Sequence, residues 1–314
     1  MADRRLLFLG LGLLVAATLY LLWGLRSPYG FILSLRATKL AALVVVGAAI
    51  GAATVMFQTV AANRLLTPGI VGFDAMFVLI QTLLVLLLGG IGYAALPQIP
   101  KFAIETLALA GAATLLFSAI LRQGAGDMTR LVLTGVIFGI LMRGLATFLQ
   151  RILDPSEFAI VQSASVASFT AIDPVQLAFA APLLGAALVA GHRLAPALDV
   201  AGLGRDRARA LGVDHDRLVL KVLALIAGLV AVATALAGPM TFLGLLAASL
   251  AASILNTHRH RLLLPGAAML GALILVAGQF LFERLLGLQS TLSVIVEFLG
   301  GMVFLMLVLR RRTA

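Results

Sequence analysis

Long apolar blocks alternate with short polar breaks along the whole chain. The blocks fall at roughly 6–25, 40–62, 71–92, 102–121, 128–150, 175–195, 218–237, 239–255, 264–286 and 291–309. A helix crossing the hydrocarbon core needs about 20 apolar residues. The pattern therefore predicts an all-α integral membrane protein with about ten transmembrane helices. Two blocks are irregular. Thr67-Pro68-Gly69 splits 71–92 from its predecessor, and 239–255 is short and begins at Gly238-Pro239. Irregular backbone at membrane depth is tolerated only against protein or a water-filled cavity, so both breaks are expected to point inward.

The first block follows Asp3, Arg4 and Arg5. It is longer than the roughly 7–15-residue apolar core of a signal peptide. Arg26-Ser27-Pro28 stands where a small-residue cleavage site would be. An uncleaved first transmembrane helix is expected.

Composition agrees with lipid as the solvent. The 314 residues are 62% hydrophobic and 11% charged, against roughly 25% charged in a soluble domain. A net charge of +10 would suggest nucleic acid as the partner of a soluble protein. Here topology explains it, because Lys and Arg collect in cytoplasmic loops. With the N-terminus cytoplasmic, most of the 23 basic residues lie at cytoplasmic ends: among them are Arg64, Arg122, Arg130, Arg193, the run from Arg205 to Lys221, Arg259, Arg261 and Arg310 to Arg312. Arg26, Arg36, Lys39, Lys101, Arg151 and Arg284 lie at outer ends. Both termini are then cytoplasmic, membrane lipid surrounds the chain, and no nucleic-acid partner is implied. There is no Cys, which removes disulfides and zinc–thiolate sites.

The densest charged stretch is 197–221, "ALDVAGLGRDRARALGVDHDRLVLK". Asp199 is expected to cap a short helix start. Gly202 and Gly204 interrupt it, and a second short helix over Arg205–Leu211 stops at Gly212. Arg205 and Arg209 are four apart and share a face. Leu203, Ala208 and Leu211 are expected to leave a small, partly apolar surface. Two such helices on the cytoplasmic side suit docking; a solvated loop held by lipid phosphates is the plainer alternative.

Three ionisable residues lie within or beside spans: Asp74, Arg143 and Glu297. Each costs a few kcal/mol in lipid and normally faces a cavity or a partner. An ion pair without transport role and a place on a pathway are both open. Gly139, Arg143 and Thr147 are four apart and share a face. Gly139, Gly144 and Thr147 are small, and Phe148 lies on the adjoining flank. Residues 151–173 are too polar to span. In "DPSEF", Asp154 or Ser156 is expected to cap a short helix with Pro155 in its first turn. Lys101, Glu105 and Arg151 read as snorkelling interfacial anchors in preference to contacts for a binding protein. His258 and His260 read as part of a lipid-facing cytoplasmic loop, with too few ligands for a metal.

"LGRDRARALGV" resembles the LG-x-x-x-A-x-x-LG-V stretch of the FecCD family, permease subunits of ABC importers for iron–siderophores, haem and vitamin B12. "LRATKLAALVVVGAAIGAATVMFQTVAANRLLTPGIVGFDA", "AVATALAGPMTFLGLLAASLA" and "LLLPGAAMLGALILVAGQ" resemble further family stretches. Likeness to a catecholate-type siderophore subgroup rests on "FLQRILDPSEFAIVQSASVASF" and "STLSVIVEFLGGMVFLMLVLRR". The chain departs from the family at "AASLAAS", where many members carry Pro-His-Ile-x-Arg, and at Arg64-Leu65-Leu66-Thr67-Pro68, where Asn-Pro-Leu is usual.

The resemblance implies a type II ABC importer permease fold in the bacterial inner membrane, forming one transmembrane domain over 1–314. Residues 197–217 would be the coupling-helix region, with Leu203, Gly204, Arg205, Arg207, Ala208, Arg209, Leu211 and Gly212 facing a separate ATPase. Residues 151–173 would be an outer gating loop, with Arg151, Asp154 and Glu157 as gate or binding-protein contacts. Gly139, Arg143, Thr147, Phe148 and Glu297 would line the substrate pathway, Glu297 pairing with Arg143 when no substrate is present. The implied partners are a second permease subunit, related or identical, two ATPase subunits, a periplasmic or lipid-anchored substrate-binding protein and a ferric siderophore. No cofactor is expected on this chain, and ATP and Mg would sit on the ATPase. The chain has no G-x-x-x-x-G-K-[ST], the loop that cradles nucleotide phosphates, so it is expected not to be an enzyme. The alternatives are a family permease for haem or cobalamin, or an ATP-independent secondary transporter coupled through Arg143, Glu297 and Asp74.

Overall fold

The computed structural model describes residues 2–25, 27–123, 128–170, 172–285, 287 and 292–311. Apolar blocks become helices because lipid offers backbone N–H and C=O groups no other partner. In chain order the long helices are α1 (Ala2–Leu22), α2 (Tyr29–Val60), α3 (Asp74–Ala95), α4 (Gln98–Gln123) and α5 (Met128–Gln150). The short α6 (Pro155–Ala164) precedes α7 (Pro174–Arg193), and two stubs follow, α8 (Ala195–Ala201) and α9 (Arg205–Ala210). Then come α10 (His215–Ala237), α11 (Leu243–Leu255), α12 (His260–Phe280) and α13 (Leu292–Arg311). Single π-turns lead into α3 (Gly69–Phe73) and follow α12 (Leu281–Leu285). Among the described residues each of the ten expected blocks holds a helix, with α11 starting only at Leu243. Among the described residues, 8 helices are long and apolar enough to cross a membrane; Leu243–Leu255 and Leu292–Met306 are shorter apolar helices.

The frame is built on α2 and α12. A Cβ added to Gly47 would stand 2.5 Å from the Gly271 carbonyl oxygen, and one added to Gly271 would stand 2.1 Å from that of Gly47. Small residues let helix backbones approach closely where no hydrophobic drive separates helix from lipid. Val46, Ile50, Ala53, Met56 and Phe57 of α2 are buried by this packing and by α10, α11 and α7. Helix α1 lies outside against α12, exposing Leu7, Phe8 and Leu14 in the manner of a lipid-facing helix.

The two breaks do point inward, and they meet. Thr67 Oγ1 donates to the Thr241 carbonyl at 3.1 Å, and Thr241 Oγ1 donates to Asp74 Oδ2 at 2.5 Å. Each break thus satisfies polar groups that the other leaves free. The second break is tied outward as well. Ser168 N donates to Ala237 O at 2.8 Å, and Ser293 Oγ donates to Ala167 O at 2.9 Å.

Candidate functional site

The charged stretch folds as two stubs and a bend. Pro196 stands in the first turn of α8, Gly204 precedes α9, and the helix ends at Ala210, short of Gly212. Arg205 and Arg209 share a face as expected, and both grip Asp216 on α10. Arg205 Nε and Nη2 donate to Asp216 Oδ1 and Oδ2 at 3.0 and 2.9 Å, and Arg209 Nη2 donates to Oδ2 at 2.6 Å. The hydrogen bond from Arg205 to Asp216 raises the arginine above its ordinary value. These groups are partly solvated, so each pair contributes little alone. Together they fix the stub on the first turn of α10.

Three expectations change here. Ala208 is not on the open surface: it is 0% exposed, turned toward the bundle, while Leu203 and Leu211 are exposed, Leu211 at 63%. On a helix this short, one face packs and the other is free. Asp199 caps a helix start, but not that of its own stub. It lies inside α8, and its Oδ1 accepts the His260 backbone N–H at the start of α12 at 2.8 Å. His260 is correspondingly buried, not lipid-facing. Arg207 is exposed beside this surface.

At mid-depth the three ionisable residues form one electrostatic group. Arg143 acts on both Asp74 and Glu297, and Asp74 acts on Glu297. Among the described residues no direct ion pair joins Arg143 to Glu297, so the expected pairing is an attraction at a distance, not a contact. Arg143, Thr147 and Phe148 are exposed on α5, and Glu297 is exposed on α13. Thr147 Oγ1 donates back to the Arg143 carbonyl at 2.9 Å. Gly139 does not share this opening. It is buried against the π-turn: Gly72, at φ +117°, comes so near that a Cβ on Gly139 would stand 2.8 Å from the Gly72 Cα. The side chain at 139 is small because of packing, and the space beside Arg143 comes from Gly144, which meets nothing within 4 Å.

On the outer side, α6 forms where "DPSEF" predicts, with Asp154 at the N-cap and Pro155 at the first helical position. Glu157 Oε1 accepts from Gly90 N at 3.0 Å, and Oε2 accepts from Asp154 N at 3.4 Å. The carboxylate is committed to capping α6 and to satisfying α3 beside its kink at Gly89. Arg151 and Asp154 are exposed. Glu105 is buried and Lys101 lies over the Tyr93 ring at 3.8 Å. Both line a cavity of about 320 Å³ beneath α6, and the burial of Glu105 turns it inward instead of toward lipid.

A second outer cavity, about 970 Å³, is lined among others by Tyr20, Arg36, Lys39, Gln279, Glu283 and Arg284. Lys39 pairs with Glu283, which also accepts from Gln279 at 2.7 Å. Arg36 is 6% exposed and donates to Leu21 O and Trp23 O at 2.7 and 2.9 Å, holding the end of α1. Three cations against one carboxylate make this opening basic. Sequence reading counted Arg36, Lys39 and Arg284 only as outer-end charges. Their convergence joins residues 20–39 to 279–287, a contact that no local pattern signals.

Fold and site together define a multi-pass helical membrane transport protein. The chain belongs to the FecCD transport family, which matches residues 9–310. It is 38% identical over 306 residues to the petrobactin import system permease protein YclO of Bacillus subtilis, covering 97% of this chain and 96% of that one. It is 32% identical to the petrobactin import system permease protein FatC of Bacillus anthracis, over 88% of this chain and 78% of that one. A solved metal-chelate type ABC transporter in an inward-facing conformation shares the fold, with TM-score 0.85 at 23% identity, covering 98% of this chain and 99% of that one.

Proposed function

We propose that this chain is the permease subunit of an ATP-driven importer that carries a ferric siderophore, of catecholate type, inward across the bacterial inner membrane by alternating access. The observation that carries the reading is near full-length likeness to a petrobactin permease. The geometry supports the division of labour. Leu203, on the bend between α8 and α9, and Leu211, just past the end of α9, dock into an ATPase subunit that binds ATP and Mg. The open faces of α5 and α13 meet a second permease across the pathway. Their exposed Leu141, Phe148, Val294 and Phe298 are a poor match for water, and Arg143 is a poor match for lipid. Arg143 is the fixed cation that an anionic chelate passes, and its planar group stacks on aromatic rings. The basic cavity beside Lys39 and Arg284 receives acidic groups of a substrate-binding protein; Arg151, Asp154 and Glu157 were expected from the resemblance as gate or binding-protein contacts.

The test is reconstitution of this chain with a second permease subunit, an ATPase and a substrate-binding protein from the same genome, scored by radioactive iron entering liposomes. ATP-dependent entry of iron–petrobactin supports the reading. Full uptake by this chain alone under an ion gradient overturns it, and preference for haem or cobalamin corrects the cargo.

A further inference from the structure

His260 opens α12 and is 6% exposed. Its Nδ1 lies 2.6 Å from Asp199 Oδ1, the oxygen that also accepts its backbone N–H. Its Nε2 lies 2.6 Å from Thr59 Oγ1. Asp199 belongs to α8, and Thr59 to the last turn of α2. One side chain therefore joins three elements. Thr59 Oγ1 also lies 2.9 Å from Val55 O as a donor. A hydroxyl has one proton, so all three bonds are made together only when the ring donates from both nitrogens.

The remaining contacts of α8 are through apolar residues, with Leu198 and Ala201 buried. Apolar contacts have no direction and allow sliding, whereas a charge-assisted hydrogen bond fixes orientation. A displacement of the bend at Leu203 has two polar routes into the bundle. One runs through Arg205 and Asp216 to α10. The other runs through Asp199 and His260 to α2 and α12. Those two helices touch backbone to backbone at Gly47 and Gly271, the closest kind of helix packing.

We infer that His260 is a positioning residue for transport: it clamps α8 to the α2–α12 pair, so that movement of the coupling bend reaches the frame of the permease. This rests on the reading of Leu203–Gly212 as the ATPase-docking region. Without the clamp, ATP is hydrolysed while the pathway fails to switch.

The experiment uses the whole importer in liposomes. His260→Ala is expected to co-purify with the ATPase and to hydrolyse ATP within about twofold of the wild type, while iron entering per ATP falls about tenfold, within the usual range of coupling between sites. Asp199→Ala should match it. Asp199→Asn keeps the oxygen that accepts both N–H groups and should retain most uptake. Thr59→Val, of similar shape, should lose less than His260→Ala. Because the chain lacks Cys, Asp206→Cys with Arg261→Cys gives one labelled pair spanning α9 and α12. Its distance distribution should be narrow in the wild type and broad with His260→Ala. Unchanged uptake per ATP, or an unchanged distance distribution, overturns the clamp. Proportional loss of folded yield, hydrolysis and uptake overturns it in favour of a structural role. Leu211→Asp tests docking separately: retained ATPase association there rejects the docking reading, while the label distance still reports on the clamp.

Discussion

Helices α2 and α5 look alike in composition and do opposite things. Both are long, apolar and sprinkled with glycine. Along α2, the glycines at 47 and 51 sit against backbone of α12, and side chains from Val46 to Phe57 are enclosed. Among the described side chains of α5, burial is confined to a stripe through Gly135, Gly139 and Ala146, while Ile137, Leu141, Leu145 and Phe148 face outward. Its Gly144 touches nothing within 4 Å. Apolar content therefore does not separate frame from working face in a membrane protein. The position of the fixed charge does. On α2 the cations stand near the outer end, and Arg36 is buried against the end of α1. On α5 the cation stands mid-helix on the open side, where lipid is a costly neighbour. The open side is thus one that protein or water covers.

The largest expected effect comes from attacking the frame. Gly47→Val or Gly271→Val forces a branched side chain into opposing backbone, which has no rotamer to yield. Overpacking typically costs 1–3 kcal/mol, and contact with backbone should put this change at or above about 3 kcal/mol. Monodisperse protein in detergent should be largely lost. Gly144→Ala, on the open face, should leave yield and thermal stability at wild-type levels. Equal damage at both positions would erase the distinction between the helices.

The same contrast recurs in miniature on α9. Ala208→Asp buries a carboxylate without a partner, which costs roughly 1–3 kcal/mol on protein scales, and should loosen the stub from α10. Proteolysis between α8 and α10 should rise. Leu211→Asp changes only the open side, so protease resistance should hold while ATPase co-purification falls. If Ala208→Asp resists protease as the wild type does, that face is not packed in the membrane.

How much of this was legible in the sequence follows the range of the interaction. Helix positions, the breaks, the stub over 205–210 and the Asp154–Pro155 start of α6 are local and were readable from apolar length, Gly and Pro. The sharing of a face by Arg205 and Arg209 followed from helical spacing, but their common partner Asp216 did not. Ala208 and Gly139 were misplaced because helical spacing says which residues share a face without saying which face packs. His260 was read as loop because its partners, Asp199 and Thr59, are 61 and 201 residues away. The outer basic cavity was missed for the same reason.

A smaller effect is expected on the working face itself. Arg143→Ala removes the fixed cation without opening a buried pair, so stability should stay within about 0.5 kcal/mol. Uptake of anionic ferric chelates should fall about tenfold, equivalent to about 1.4 kcal/mol, while a neutral chelate is carried as before. Equal loss for both cargoes would mark a structural charge. Equal retention would place Arg143 off the pathway and leave the open face of α5 as a permease contact only.

The smallest effect is expected at Glu157, where frame and gate touch. Its carboxylate accepts from Gly90 N and Asp154 N, joining α6 to α3 at the kink. Glu157→Gln keeps one acceptor oxygen for Gly90 but removes the charge that favours the start of α6. The expected loss is local, about 0.5–1 kcal/mol. That corresponds to roughly two- to fivefold faster hydrogen exchange over residues 155–164 and around Gly90. Binding-protein affinity should not move, because the carboxylate faces Gly90 and the backbone of Asp154. Faster exchange with unchanged affinity places Glu157 in the hinge of the outer loop. Unchanged exchange with weakened affinity would return it to the role of a surface contact, and would mean that α6 is held to α3 by apolar packing alone, through Ile160 and Val161 against Val85.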